Sequence, residues 1–215
     1  MRTVGLTGNI GAGKSTVAAL LVARGAVLVD ADTVAREVVE PGAPAYRPLV
    51  DRFGTGILDA DGRIDRPALA ARVFGHPEEL EALNAIIHPA IGVAMVEGKD
   101  AHAGTDRIVV MDIPLLKDVH RELLALDAVV VVDVPPEVAL ERLTSQRGMP
   151  EEDARARQAS QPSRAERLEG ADFVVDNSDG PELLEREVDR VWDELLRLPE
   201  RPGTATGAGG DGTRT

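Results

Sequence analysis

Residues Arg2–Thr16 read RTVGLTGNIGAGKST. The run RTVGLT alternates and ends at a glycine, which predicts a buried strand. Lys14 to Arg24 carries Val17, Leu20 and Leu21 at helical spacing and stops at Gly25. Between them, Gly8-Asn9-Ile10-Gly11-Ala12-Gly13-Lys14-Ser15 fits G-x-x-x-x-G-K-[ST]. Glycines there let the backbone wrap a phosphate with its N–H groups turned inward, and the next helix offers its positive end. Lys14 supplies a point charge for β- and γ-phosphates, Ser15 a hydroxyl for Mg²⁺, and Gly11, Ala12, Gly13 and Thr16 complete the cradle. A chance glycine turn would not combine strand, spacing, lysine and hydroxyl, so the chain is read as binding a nucleoside triphosphate.

Working outward, AVLVD (26–30), RIVVMDI (107–113), AVVVVDV (128–134) and FVVDN (173–177) are further apolar, β-branched runs separated by helical stretches. Five such runs predict a parallel sheet covered on both faces. Glu137 to Arg147 follows Pro135-Pro136 and reads as a helix. Glu182 to Arg197 places Leu184, Val188, Val191, Leu195 and Leu198 on one stripe and reads as the last core helix. Two intervals exceed a plain crossover. The 74 residues 33–106 hold helical pieces expected to break at Pro41, Pro44, Pro48, Pro67, Pro77 and Pro89, with LDADGRID as a turn; 141–170 is polar and arginine-rich. The Gly/Thr-rich end, 199–215, has no apolar period and is expected to be disordered.

With 24 basic against 37 acidic residues, the net charge of −13 opposes a nucleic-acid partner, while a local pocket can still attract a small anion. Aromatics are 2% of the chain, so the core must be aliphatic, and the absence of cysteine excludes disulfides and thiolate metal sites. No charged-then-apolar leader and no uninterrupted apolar run of about 20 residues is visible, so a soluble cytoplasmic protein without a membrane partner is expected. Only three lysines, Lys14, Lys99 and Lys117, stand against 21 arginines, and one of the three lies in the glycine loop.

A bound triphosphate serves either a switch or a kinase. A guanine-nucleotide switch should carry N-K-x-D, which is missing, and the one tempting D-x-x-G, Asp59–Gly62, falls inside the turn LDADGR. For a kinase the acceptor must face the γ-phosphate. Parallel sheets place ligands at the carboxyl ends of their strands, which puts Asp30 and Asp32 of VDADTVAREVV at the mouth. A carboxylate there aligns an attacking hydroxyl; with a pKa near about 3.9 it is a weak base, but in a loose transition state orientation outweighs basicity. The other job open to Asp32 is to cap the following helix.

GNIGAGKSTVA, VDADTVAREVVEPG, LNAIIHP, DIPLL, ERLTSQRGM, RQASQ and ADFVVDNS together resemble the dephospho-coenzyme A kinases, in that family's order and across nearly all of residues 1–198. The resemblance implies ATP-dependent phosphorylation of the ribose 3′-hydroxyl of dephospho-coenzyme A, the last step of coenzyme A synthesis. It implies a three-layer α/β P-loop NTPase fold: a core of 1–32, 107–140 and 171–198, a helical acceptor-binding insertion of 33–106, and a lid of 141–170. The alternatives are a nucleoside or nucleotide kinase of the same fold, or a non-catalytic nucleotide-binding switch.

By the same resemblance Asp32 is the catalytic aspartate and Asp30 a supporting residue. Arg36, one turn further, either meets an acceptor phosphate or is simply exposed. Asn84 and His88 match LN-x-x-x-HP, with His88 either structural or touching the acceptor. Arg142 and Arg147 fall where lid arginines for ATP begin, Arg157 matches the arginine of R-x-x-x-Q on the acceptor side, and Asn177 follows the fifth strand where an adenine-contacting loop is expected. The lid arginines would bind phosphate and exclude water, or else pair with Glu151, Glu152, Asp153 and Glu166. Asp112 and Asp133 both end apolar strands; Asp112 is preferred as the carboxylate assisting Mg²⁺ through water. One departure stands out: the family follows PLL with an aromatic or aliphatic residue and then Glu, where this chain has Lys117-Asp118.

Overall fold

The computed structural model describes residues 1–200. Five strands, β1 (Arg2–Gly8), β2 (Val27–Asp30), β3 (Ile108–Asp112), β4 (Ala128–Asp133) and β5 (Phe173–Asp176), pair in the order β2-β3-β1-β4-β5, all parallel. Each lies within a residue of the run that predicted it. Ten α-helices are described: α1 (Lys14–Ala23), α2 (Ala31–Glu37), α3 (Tyr46–Phe53), α4 (Arg66–Val73), α5 (Pro77–Asp100), α6 (Asp118–Leu123), α7 (Pro136–Glu141), α8 (Glu151–Ala159), α9 (Arg164–Glu169) and α10 (Pro181–Arg197). The tail expected to be disordered lies outside the described residues, save Pro199 and Glu200; Glu200 pairs with Arg2 at 3.2 Å.

Alternation in the central strands sends side chains to two cores. Val4, Leu6, Ile108, Val110, Val130 and Val132 meet α1, α7 and α10. Val109, Met111, Val129 and Val131 meet the helices of the insertion and Leu168 of α9. Both cores are aliphatic, as 2% aromatic content requires. The connection after β1 packs on one face and the connection after β3 carries Leu124 and Leu126 to the other. The crevice between β1 and β3 is thus the switch point where open α/β sheets hold ligands.

The insertion differs from expectation in one respect. Pro67 and Pro77 open α4 and α5, but Pro48 sits inside the first turn of α3 and Pro89 lies within α5, a helix of 24 residues. Proline removes one intrahelical bond; α5 runs through it because Ala82, Leu83, Ile86, Ile87, Ala90, Ile91, Ala94 and Met95 anchor both halves to the core. This helix also corrects the search for uninterrupted apolar runs: by length and composition alone it reaches the range of a membrane span, at mean hydropathy 1.3. One stripe of it packs half-buried on the core, while Leu80 and Val93 stand exposed. LDADGRID is a turn, with Leu58 bridged to Ile64 and Asp59 Oδ1 accepting from Asp61 and Arg63 N–H at 2.9 Å each.

The helix predicted over 137–147 is α7 followed by a π-helical turn, Arg142–Gln146. Thr144 Oγ1 and Ser145 Oγ donate back to the carbonyls of Leu140 and Glu141 at 3.0 and 2.6 Å, competing with the regular ladder.

Candidate active site

The glycine loop closes between β1 and α1. Gly11 and Gly13 adopt φ of 83° and 85°, the left-handed region where a Cβ is costly. A Cβ on Gly11 would also stand 2.8 Å from Ala139 O, so the loop is pressed against α7. Gly13 precedes α1 directly and leaves the first N–H groups of that helix without a side-chain cap, the arrangement that receives an anion. Ala12 is fully buried; Asn177 Nδ2 donates to its carbonyl at 2.7 Å. The Asn177 side chain is thus tied to the loop itself, while the residue also borders the cavity beside the cradle.

Lys14 reaches across the switch point and pairs with Asp112 at the end of β3. Asp112 is 5% exposed. Burial raises its pKa, the Lys14 hydrogen bond and charge oppose this, and the Asp30 and Asp32 carboxylates push it further up. Asp133, the other strand-end candidate, is engaged by Arg164 of α9 through Nε and Nη2 at 2.6–3.1 Å. Of the two, Asp112 is the one at the cradle.

The ambiguity over Asp32 resolves by division of labour. Asp30 is the N-cap of α2: its Oδ1 accepts from Asp32 N–H and its Oδ2 from Thr33 Oγ1, at 2.9 Å each. Asp32 keeps its carboxylate exposed in the first turn, near enough to Asp112 to affect that group's ionisation. Lys14 and Asp112 thus meet from two elements, with the Asp32 carboxylate within electrostatic range of Asp112.

A cavity of about 390 Å³ on one side of the cradle is lined by Gly11, Gly13, Ser15, Thr16, Arg142, Arg147 and Asn177, together with Asp179 and Pro181. Arg142 donates to Asn177 O at 2.7 Å. The π-helical turn brings Arg142 and Arg147 to the same cavity.

On the other side, a cavity of about 440 Å³ is walled by Thr7, Gly8 and Asn9, by the segment Pro114–Asp118 and Arg121, and by Gln161, Pro162, Glu166 and Arg167. The Lys117-Asp118 departure lies on this wall. The arginine-rich interval closes onto the loop here: Gln161 Oε1 accepts from Ile10 N–H at 2.9 Å. A crevice between α7, α8 and α9 adjoins it, lined by Asn9, Arg155, Gln158, Arg164 and Arg167 among others. A further cavity of about 550 Å³ is apolar and lies away from the cradle between α2, α4 and α5.

Three expected residues stand apart from this cluster. Arg36 is exposed one turn along α2 from Asp32. His88 is exposed on α5, close enough to His120 to lower that group's pKa. Arg157 is exposed on α8, whereas its neighbours Arg155 and Gln158 line the crevice. Asn9 and Gln161 were not singled out from sequence. Asn9 and Gln161 lay within quoted motifs, but nothing local marks which polar residue of a loop will bond across the fold.

The description of the family model that matches residues 2–182 is dephospho-CoA kinase. The chain is 51% identical over 203 residues to the dephospho-CoA kinase of Streptomyces avermitilis, covering 94% of this chain and 98% of that one. It is 49% identical over 198 residues to the enzyme of Thermobifida fusca, covering 92% and 98%. A crystal structure from Thermus thermophilus is similar with a TM-score of 0.74 at 34% identity, covering 90% and 97%. The dephospho-CoA kinase of Campylobacter jejuni is similar with a TM-score of 0.63 at 26% identity, covering 90% and 97%. A shikimate kinase from Bacteroides thetaiotaomicron, at 16% identity and TM-score 0.50 over 90% and 98%, shares the fold alone.

Proposed function

The chain belongs to the dephospho-CoA kinase family, an ATP-dependent kinase family of coenzyme A synthesis, and from that premise we propose how its own residues perform the transfer to the ribose 3′-hydroxyl of dephospho-coenzyme A. The donor triphosphate lies in the glycine cradle, its nucleoside toward Arg142 and Arg147. The acceptor enters from the opposite side, between the insertion (33–106) and the lid (141–170). Lys14 leaves Asp112 for the β- and γ-phosphates. Asp32 aligns the 3′-hydroxyl and takes its proton as the oxygen bonds to the γ-phosphorus and the bond to the β-phosphate oxygen breaks, releasing ADP.

The observation that carries this reading is the pair Asp30 and Asp32. With Asp30 spent on the helix cap, the Asp32 carboxylate is exposed and acts electrostatically on the Asp112 of the Lys14–Asp112 pair. Ser15 and Asp112 form an all-oxygen donor set that suits Mg²⁺, which commonly takes one or two protein oxygens plus phosphate. Bound there, the ion would neutralise charge on the transferring group. His88, Arg36 and Arg157 are assigned to the acceptor on the family resemblance, from exposed positions outside the described cavities at the cradle, and the enzyme works in the cytoplasm with these two small molecules as its partners.

The test is ADP release with dephospho-coenzyme A, AMP, dCMP and shikimate as acceptors. Turnover should be confined to the first. Asp32→Asn should lower kcat by about 10²–10⁴-fold while ATP binding is retained. A variant with unchanged kcat and a lowered Tm would return Asp32 to a capping role.

A further inference from the structure

Two buried polar atoms without a hydrogen-bond partner, Asn9 Oδ1 and Arg167 Nε, belong to residues on the wall shared by the acceptor-side cavity and the lid crevice. Asn9 is 8% exposed. Such atoms cost about 1–3 kcal/mol each when nothing meets them. Three polar neighbours that line the same wall are already occupied. Gln161 Oε1 holds Ile10 N–H at 2.9 Å, Glu166 Oε2 accepts from Ser163 N–H at 2.7 Å, and Arg121 pairs with Asp172 at 2.8 Å. Arg167 Nη1 is anchored on Pro162 O, which leaves Nε as the open donor. One acceptor and one donor are therefore left over, on opposite sides of the lid closure: Asn9 from the cradle, Arg167 from α9.

Their complement is a planar edge that offers a donor beside an acceptor. The 6-amino group of adenine next to its ring nitrogen N1 or N7 is such an edge, and an amide oxygen is a common partner for the amino group. Resting on the functional reading above, we propose that Asn9 and Arg167 read the adenine of the acceptor nucleotide. Asn9 Oδ1 accepts from the 6-amino group and Arg167 Nε–H donates to the adjacent ring nitrogen. Lys117 lines the same cavity and has no ion-pair partner among the described residues, a suitable contact for the diphosphate that follows the nucleoside. Asp118 and Glu166 also line it, so the cavity is not a plain anion trap, which favours a base with donors and acceptors over free phosphate. Because one reader sits on the cradle and the other on the lid, a correct base would bridge the two and close the site over the reacting atoms.

Steady-state kinetics of the full chain with dephospho-coenzyme A and with its hypoxanthine counterpart test the assignment, since a 6-oxo group turns the donor into an acceptor. The wild type should prefer adenine by about 10-fold or more in kcat/KM. Asn9→Leu and Arg167→Met should each raise KM for the acceptor and shrink that preference toward unity; KM for ATP should move less than about two-fold in Arg167→Met, the variant outside the cradle. Asn9→Asp, which keeps the acceptor oxygen, should retain the preference. A thermal melt reports that each variant is folded. Equal use of both bases by the wild type, or variants whose preference for adenine stays at the wild-type value, overturns the assignment and leaves the kinase reading standing. No turnover of dephospho-coenzyme A by the wild type overturns both.

Discussion

Lys14 and Asp112 are each other's partner before any ligand arrives, with side chains 19% and 8% exposed. Removing one strands the other. Lys14→Ala should abolish measurable transfer and also destabilise the ligand-free protein by about 1–3 kcal/mol, the cost of an unsatisfied buried group. Adding Asp112→Asn should restore part of that stability, a coupling that a double-mutant cycle in urea reads directly. Asp112 itself titrates against the fold. Its pKa is raised from 3.8, chiefly by burial. Its contribution is therefore full below the unfolded value and declines as pH rises through the folded one. Relative to wild type, Asp112→Asn should gain in Tm as pH is raised above 3.8; an unchanged difference across that range would contradict the buried ionised carboxylate.

The elements that carry the acceptor-side wall are short and held by single contacts. Helix α6 starts with Lys117 N–H donating to His120 Nδ1 at 3.0 Å, a bond that needs the ring nitrogen unprotonated. The His120 pKa is lowered from 6.5 by burial, then by Lys117 and His88. A lowered folded value means the stabilisation is present above 6.5 and is lost as pH falls through the folded pKa. His120→Gln, which can still cap, should melt with a flatter pH dependence than wild type over the acid range. Helix α5 presents the opposite case. Pro89 interrupts a helix that its packing would favour in any event, so Pro89→Ala should raise stability by up to about 3 kcal/mol, seen as a higher urea midpoint. The expected break at Pro89 failed because local propensity was outweighed by core anchors on both sides of it.

Across the molecule, the interval 141–170, proposed as the lid, is tied to the rest of the fold by side-chain bonds that include Gln161 to Ile10, Arg164 to Asp133, Gln158 to Pro136 and Arg142 to Asn177. Asp133 is 3% exposed at the end of β4, so the ion pair fixes α9 against the strand that flanks the cradle. Arg164→Gln should loosen that attachment. Water would then compete with the acceptor, and the ratio of ADP formed to coenzyme A formed should rise above one. A ratio held at one, with only Tm lowered, would assign the pair to stability alone. Residues of this interval line both cavities beside the cradle, Gln161 and Arg167 the one and Arg142 and Arg147 the other.

The sequence by itself determined the sheet, the cradle and the kinase chemistry. β-branched runs, the glycine spacing and a lysine beside a hydroxyl act over a few residues, where backbone geometry leaves little choice. It also placed Asp30 and Asp32 at the mouth, but not which of them would cap α2. Only the tertiary structure decided that, together with Asn177 turning to the Ala12 carbonyl, Asp133 being claimed by Arg164, and Asn9 and Arg167 lining one cavity. These outcomes depend on contacts between residues 100 or more apart in several cases, and the partner of a buried polar atom is set by which elements the packing brings to it.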